Sequence, residues 1–164
     1  MCQLHQVLKY SLLIFTLFLL RSCTPIDLYE KNEPIPKHSW DASFRPQFSF
    51  EIRDTTAPYQ LYITLRHNAR YHFNNIWLNI HVKLPDGSTQ RFTEIEMPLA
   101  SKDRGWLGEG MDDIYEQRIG ITLDPAKFSF SKSGVYTFTI EHIMREDPLQ
   151  NVMNVGLRLE KKPR

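Results

Sequence analysis

Segments in which every second residue is apolar constrain this chain most, because a side-chain period of two belongs to a strand with one buried face and does not suit an amphipathic helix. Phe48, Phe50 and Ile52 alternate with Gln47, Ser49, Glu51 and Arg53. Tyr59, Leu61, Ile63 and Leu65 share the next such face, opposite Gln60, Tyr62, Thr64 and Arg66. Ile76, Leu78, Ile80, Val82 and Leu84 form a third, opposite Trp77, Asn79, His81 and Lys83. Pro85, Asp86, Gly87 and Ser88 then supply a fixed φ and a glycine free to turn, so a hairpin follows. Its return strand, from Thr89 to Met97, carries mixed charge and is expected at a sheet edge. Ile119, Ile121 and Leu123 mark a short strand, Val135 to Met144 a strong one, and Val155, Leu157 and Leu159 the last. These runs predict an all-β fold, a single antiparallel β-sandwich domain of about 7-8 strands over residues 47–161. One helical turn is expected in each of 112–118 and 145–153.

Upstream of that domain the chain changes character. A weakly basic start with Lys9 leads into the apolar run Tyr10 to Leu20, which as a helix spans only roughly 16 Å of a ~30 Å hydrocarbon core. Leu20, Arg21 and Ser22 then precede Cys23, an arrangement similar to a bacterial lipoprotein processing site, with an apolar residue at −3 and a small one at −1. Residues 1–22 are therefore read as a lipoprotein signal peptide, and Cys23 as the lipidated N-terminus of the mature chain. The other reading is an uncleaved anchor, which Arg21 at −2 favours. Against it, Cys23 stands where the apolar run stops and is the only cysteine beyond the leader. Residues 23–46, with Pro25, Pro34, Pro36 and Pro46, read as a tether, with Trp40 and Phe44 marking where it docks.

The charge balance and motifs narrow the function. The chain has 20 Lys+Arg against 19 Asp+Glu, so nothing marks a phosphate-binding surface, and nucleic acid is not an expected partner. Gly105, Gly108 and Gly110 do not follow the dinucleotide-binding order and lack its strand–helix context; they serve instead to fold backbone around Trp106. Glu109, Asp112 and Asp113 do not match a calcium-loop spacing, and His67, His72 and His81 come without a second ligand motif. No nucleophile, base and orienter can be assembled, so no catalytic residue, cofactor, metal or small-molecule substrate is expected. Tyr62 and Trp77 place large rings on otherwise polar strand faces. If their strands pair, they share one aromatic surface, either covered by the loop carrying Trp106 or open to a protein partner or a sugar.

The wording of these strands resembles the gliding-motility lipoprotein GldH family of Bacteroidota. The similar stretches are Asp54-Thr55 with 59–66, 71–77, Gly105 to Gly110 with Asp113, Tyr115 and Arg118, Gly134 to Glu141, Met144 to Asp147, and 155–160. Asp112 departs from the pattern, standing where a small residue, often Gly, is expected. The resemblance implies a non-catalytic lipoprotein of the cell envelope that supports a gliding machinery linked to type IX secretion; Thr24, Pro25 and Ile26 carry no acidic export tag after Cys23, so the domain is expected to face the periplasm. It would act through contacts with other gliding or secretion envelope proteins and reach the membrane through its lipid anchor. A lipid-anchored carbohydrate-binding β-sandwich module is the alternative, and it requires coplanar exposed rings.

Acylation at Cys23 has a direct test. Cys23→Ala is expected to abolish palmitate incorporation and leave the precursor unprocessed on a gel; a variant that still runs at the mature size would refute the assignment.

Overall fold

The computed structural model describes residues 28–123 and 128–163. The expected signal peptide, Cys23 and the first residues of the tether lie outside that range. The described chain contains β1 (Leu28–Pro34), a 3-10 turn (Pro36–His38), β2 (Ser39–Trp40), β3 (Gln47–Ile52), β4 (Tyr59–Asn68), β5 (Asn75–Lys83) and β6 (Thr89–Pro98). After these come β7 (Ala100–Ser101), β8 (Gly105–Trp106), β9 (Glu109–Met111), β10 (Ile114–Ile121), β11 (Gly134–His142), β12 (Leu149–Gln150) and β13 (Val152–Lys161). One sheet has the order β1-β13-β4-β10-β9 and a second the order β3-β11-β5-β6, with β12–β2 and β7–β8 as small two-stranded additions. Every pairing is antiparallel.

The alternation read from the sequence is what turns these sheets toward each other. Leu61, Ile63 and Leu65 of β4 and Val155, Leu157 and Leu159 of β13 face Phe48, Phe50 and Ile52 of β3, Ile76, Ile80 and Val82 of β5, and Tyr136, Phe138 and Ile140 of β11, all in one buried cluster. Rings interlock there, Tyr29 and Phe50 across the two sheets at 5.1 Å between centroids and Phe50 and Phe138 on neighbouring strands of one sheet at 5.4 Å. Each buried apolar side chain contributes roughly 1.5–3 kcal/mol by leaving water, and the sandwich needs no covalent brace.

Strand direction gives the domain two ends. β1 starts, β13 finishes and β4 starts at one of them, where Lys161 pairs with Tyr59 and the Lys162 amide donates to the Pro58 carbonyl at 2.8 Å. The 84–88 turn and Gly134 lie at the same end, a Cβ on Gly134 falling 2.8 Å from Pro85. This is called the near end. The far end holds 35–46, 69–74, 99–113 and 143–151, tied together by Ala69 N–H to Asp113 O at 2.7 Å and Leu99 N–H to Asn74 O at 2.8 Å.

Three expectations are corrected. The stretch read as a tether is structured from Leu28 onward: β1 pairs with β13 along its whole length, Ile35 and Trp40 are buried, and Trp40 Nε1–H donates to the Phe44 carbonyl at 2.8 Å. Its alternation was hidden because Lys31 and Glu33, which sit opposite the inward Leu157 and Val155, lie on an edge strand where a charge still reaches water. The helical turn expected over 112–118 is strand β10, whose inward positions include the buried polar Gln117. The turn expected over 145–153 holds instead the short strand β12, which pairs with β2, and the start of β13, the two joined through Asn151 at φ 68. The all-β sandwich expected from the alternation is observed, with β1 and the short β9 added to its two main sheets. Asp112 takes φ 56 in the β9–β10 turn, a left-handed position that explains why a glycine is expected there.

β1 is held against the sheet at a point with no room for a side chain. A Cβ on Gly156 would collide with Asn32 Oδ1 and Thr64 Oγ1 and lie 2.7 Å from the Lys31 carbonyl, across the ladder that joins β1 to β13. Thr64 Oγ1–H donates to Asn32 Oδ1 at 2.6 Å over that glycine. Gly156→Ala is expected to cost about 1–3 kcal/mol in urea unfolding and to speed hydrogen exchange in β1 before the rest of the domain.

Candidate functional site

The three rings expected to form one surface are separated by the topology. β4 and β5 follow each other in sequence but belong to different sheets, so Tyr62 and Trp77 look out from opposite sides of the sandwich. Tyr62 sits beside Gly120, with Lys162 Nζ 5.7 Å from its ring centroid and donating to its hydroxyl at 3.2 Å. Trp77 lies on the outer face of the four-stranded sheet. Trp106 covers neither.

Trp106 instead closes the far end. Chain 99–107 crosses from the second sheet to the first, and the β7–β8 pairing turns Trp106 onto the His67 ring at 4.5 Å, with Tyr115 at 5.6 Å and Tyr71 at 6.3 Å. His67 is fully buried on the inward face of β4. Its Nδ1 lies 3.0 Å from the Asn68 carbonyl, which only accepts, so Nδ1 carries the proton. Nε2 then accepts from Gln117 Nε2 at 3.3 Å, and the same amide donates to the Leu99 carbonyl at 3.0 Å. Gly108 makes this closure possible: a Cβ there would meet the Gln117 side chain at 2.8 Å. The histidines do not converge, since His72 pairs with Glu146 at 2.9 Å and His81 lies near Glu141 on the outer face.

Two features of that outer face escaped the sequence. Glu141 is nearly buried yet takes a hydrogen bond from Asn79 Nδ2 at 2.7 Å and faces Arg45 at 2.9 Å, His81 at 3.5 Å and Arg91 at 3.6 Å. Burial opposes its charge, but Asn79, His81 and Arg45 outweigh burial and hold its pKa below the usual carboxylate value. Beside this hub, toward the far end, Phe73, Asn75, Trp77, Glu94, Ile143, Met144 and Arg145 line a groove of about 620 Å³. Chain beyond β11 builds its wall, as Ile143 N–H donates to the Trp77 carbonyl at 2.9 Å and Trp77 N–H to Met144 Sδ at 3.2 Å. The pairing of Asn79 with Glu141 was latent in two polar residues on neighbouring strands; nothing local announced the groove.

Comparison with known proteins places this architecture. Residues 27–159 match the family described as GldH lipoprotein. The chain belongs to the GldH lipoprotein family. The matched range runs from one residue before β1 to two residues before the end of β13, so the family pattern takes in both sheets and the strand first read as tether. A GldH homolog of Christiangramia forsetii, named a gliding motility lipoprotein, is 30% identical over 155 residues, spanning 90% of this chain and 92% of its own. The gliding motility lipoprotein GldH of Flavobacterium johnsoniae is 28% identical over 159 residues, spanning 93% and 96%. Among solved structures, the VP2 subviral particle of infectious bursal disease virus aligns with 82% of this chain and 30% of its own at 14% identity and a TM-score of 0.33, too low to carry a conclusion.

The buried histidines give the GldH fold a pH dependence. Burial pulls the pKa values of His67 and His142 below the ordinary 6.5, against the partial help of the Asn68 and Trp40 carbonyls. Both rings are thus neutral in the fold, and the unfolded chain takes up protons first as pH drops. Stability is complete above about 6.5 and is lost as pH falls toward the depressed values. Thermal unfolding from pH 7.5 to 5 is expected to show this loss, and His67→Gln to flatten it by up to about 1.4 kcal/mol per pH unit.

Proposed function

We propose that this protein is a lipid-anchored, non-catalytic component of a gliding motility apparatus. In this reading Cys23 bears the acyl chains, the domain faces the periplasm, and the work is done by contacts with other envelope proteins of gliding and the associated type IX secretion. The single observation that carries the reading is the match with two gliding motility lipoproteins over 90% or more of the chain, both sheets included. Two or more acyl chains give durable attachment, at about 0.8 kcal/mol per buried methylene, where one chain does not. The far end, closed by packed rings and an internally satisfied amide, is built like a docking scaffold rather than a reaction vessel. A sugar-binding platform is disfavoured, because Tyr62, Trp77 and Trp106 occupy two outer faces and a core and do not make one plane.

Deleting the gene in the host and restoring it as wild type or as Cys23→Ala tests the reading. Wild type is expected to restore colony spreading and secretion while the alanine variant restores neither, although its domain folds. Undiminished spreading and secretion in the deletion strain would overturn the proposal.

A further inference from the structure

We propose that the groove floored by Trp77 is where this protein grips a segment of a protein partner, an apolar side chain flanked by a carboxylate, on the side of the domain turned from the membrane. The inference rests on the reading of Cys23 as the lipid anchor. β1 begins at the near end, and the peptide units between Cys23 and Leu28 span at most about 18 Å when fully extended. Strands of nine or ten residues, such as β4 and β5, are about 30 Å long. The domain therefore cannot invert to rest its far end on the bilayer. Nor does the outer face of the four-stranded sheet suit lying flat on lipid, because Glu94 and Glu96 stand exposed beside the groove, Glu96 taking a hydrogen bond from Asn75 at 2.6 Å.

What lipid cannot reach, the groove still leaves open. Among the described residues the exposed large hydrophobics are Leu107, Met111, Val135 and Ile143, and all but Val135 lie at the far end. Ile143, 40% exposed, stands alongside the partly buried Trp77, Phe73 and Met144, so the exposure is one patch rather than a scattered residue. Methionine adapts to the shape of an incoming group, and tryptophan supplies the large rigid contact found at interface hot spots. Trp77 is fixed by a strand paired on both sides, by β11 and by β6, so little order is lost when a partner settles on it.

Charge selects the occupant. Arg145 is exposed on the rim, and among the described residues no ion pair engages it, in contrast to Arg45, which is spent on Glu141. Arg145 follows β11 and Glu94 lies on β6, on opposite sides of Trp77, so the groove is polarised and a carboxylate next to an apolar anchor is matched on the Arg145 side alone.

The test uses the full-length chain in its native host. Ile143→p-benzoylphenylalanine places a photoreactive side chain in the groove, and Val135→p-benzoylphenylalanine, on the same sheet at the near end, is the control. Irradiating intact cells is expected to give one protein adduct from 143 and none from 135, and mass spectrometry to place the cross-link beside an acidic residue of that partner. Adding Arg145→Glu should remove at least nine-tenths of the adduct without lowering the melting temperature, and reversing the partner's acid to lysine should restore it. Adducts at 143 with lipid, glycan or a second copy, or no adduct at all, overturn the proposal. So does an adduct that Arg145→Glu leaves intact. Palmitate labelling of the same cells separates the two readings: an unlabelled chain sinks the anchor, whereas a labelled chain without a protein adduct at 143 sinks the groove alone.

Discussion

Two apolar sheet faces that can be buried only against each other govern this domain. Phe48, Phe50, Phe138, Ile63, Leu65 and Leu157 have no other way out of water, and once they meet, the positions of both outer faces and both ends follow. Antiparallel strands with a period of two cannot shift register by one residue without turning this whole set toward solvent, so the pairing is strongly specified. The edges are treated differently. β1 ends in Pro34 and carries Lys31 and Glu33, groups that discourage a further strand from adding there.

The two ends of the sandwich are unlike in kind. At the far end the crossing chain is pinned by Gln117, which bonds both a ring nitrogen of His67 and the Leu99 carbonyl, and rings fill what remains. At the near end ion pairs dominate, Lys161 with Asp54 at 3.0 Å and Lys132 with Asp86, which are exposed and contribute little to stability. Three of the four exposed large hydrophobics lie at the far end, while the chain enters the domain at the near end, at Leu28.

Much of this was legible beforehand, for a physical reason. β3, β4, β5, β11 and β13 each bury one face, so burial wrote itself into their alternation, and β6 was placed at an edge from its mixed charge. β1 and the first half of β10 were not legible because their inward positions include Lys31, Glu33 and Gln117, polar residues that an edge or a satisfied amide can accommodate. The shared surface of Tyr62 and Trp77 failed because consecutive strands need not be neighbours: 69–74 carries the chain from one sheet to the other. The groove could not be foreseen from local pattern, since Met144 and Arg145 arrive from a strand distant in sequence.

The way β1 is built in has a mechanical meaning. The chain leaves the sandwich at Leu28, directed along the axis of a strand whose seven residues all face partners on β13. A pull transmitted from upstream therefore loads that ladder in shear, straining its hydrogen bonds together, instead of peeling them apart one after another. A chain joined this way resists tugging far better than one that enters through a loop.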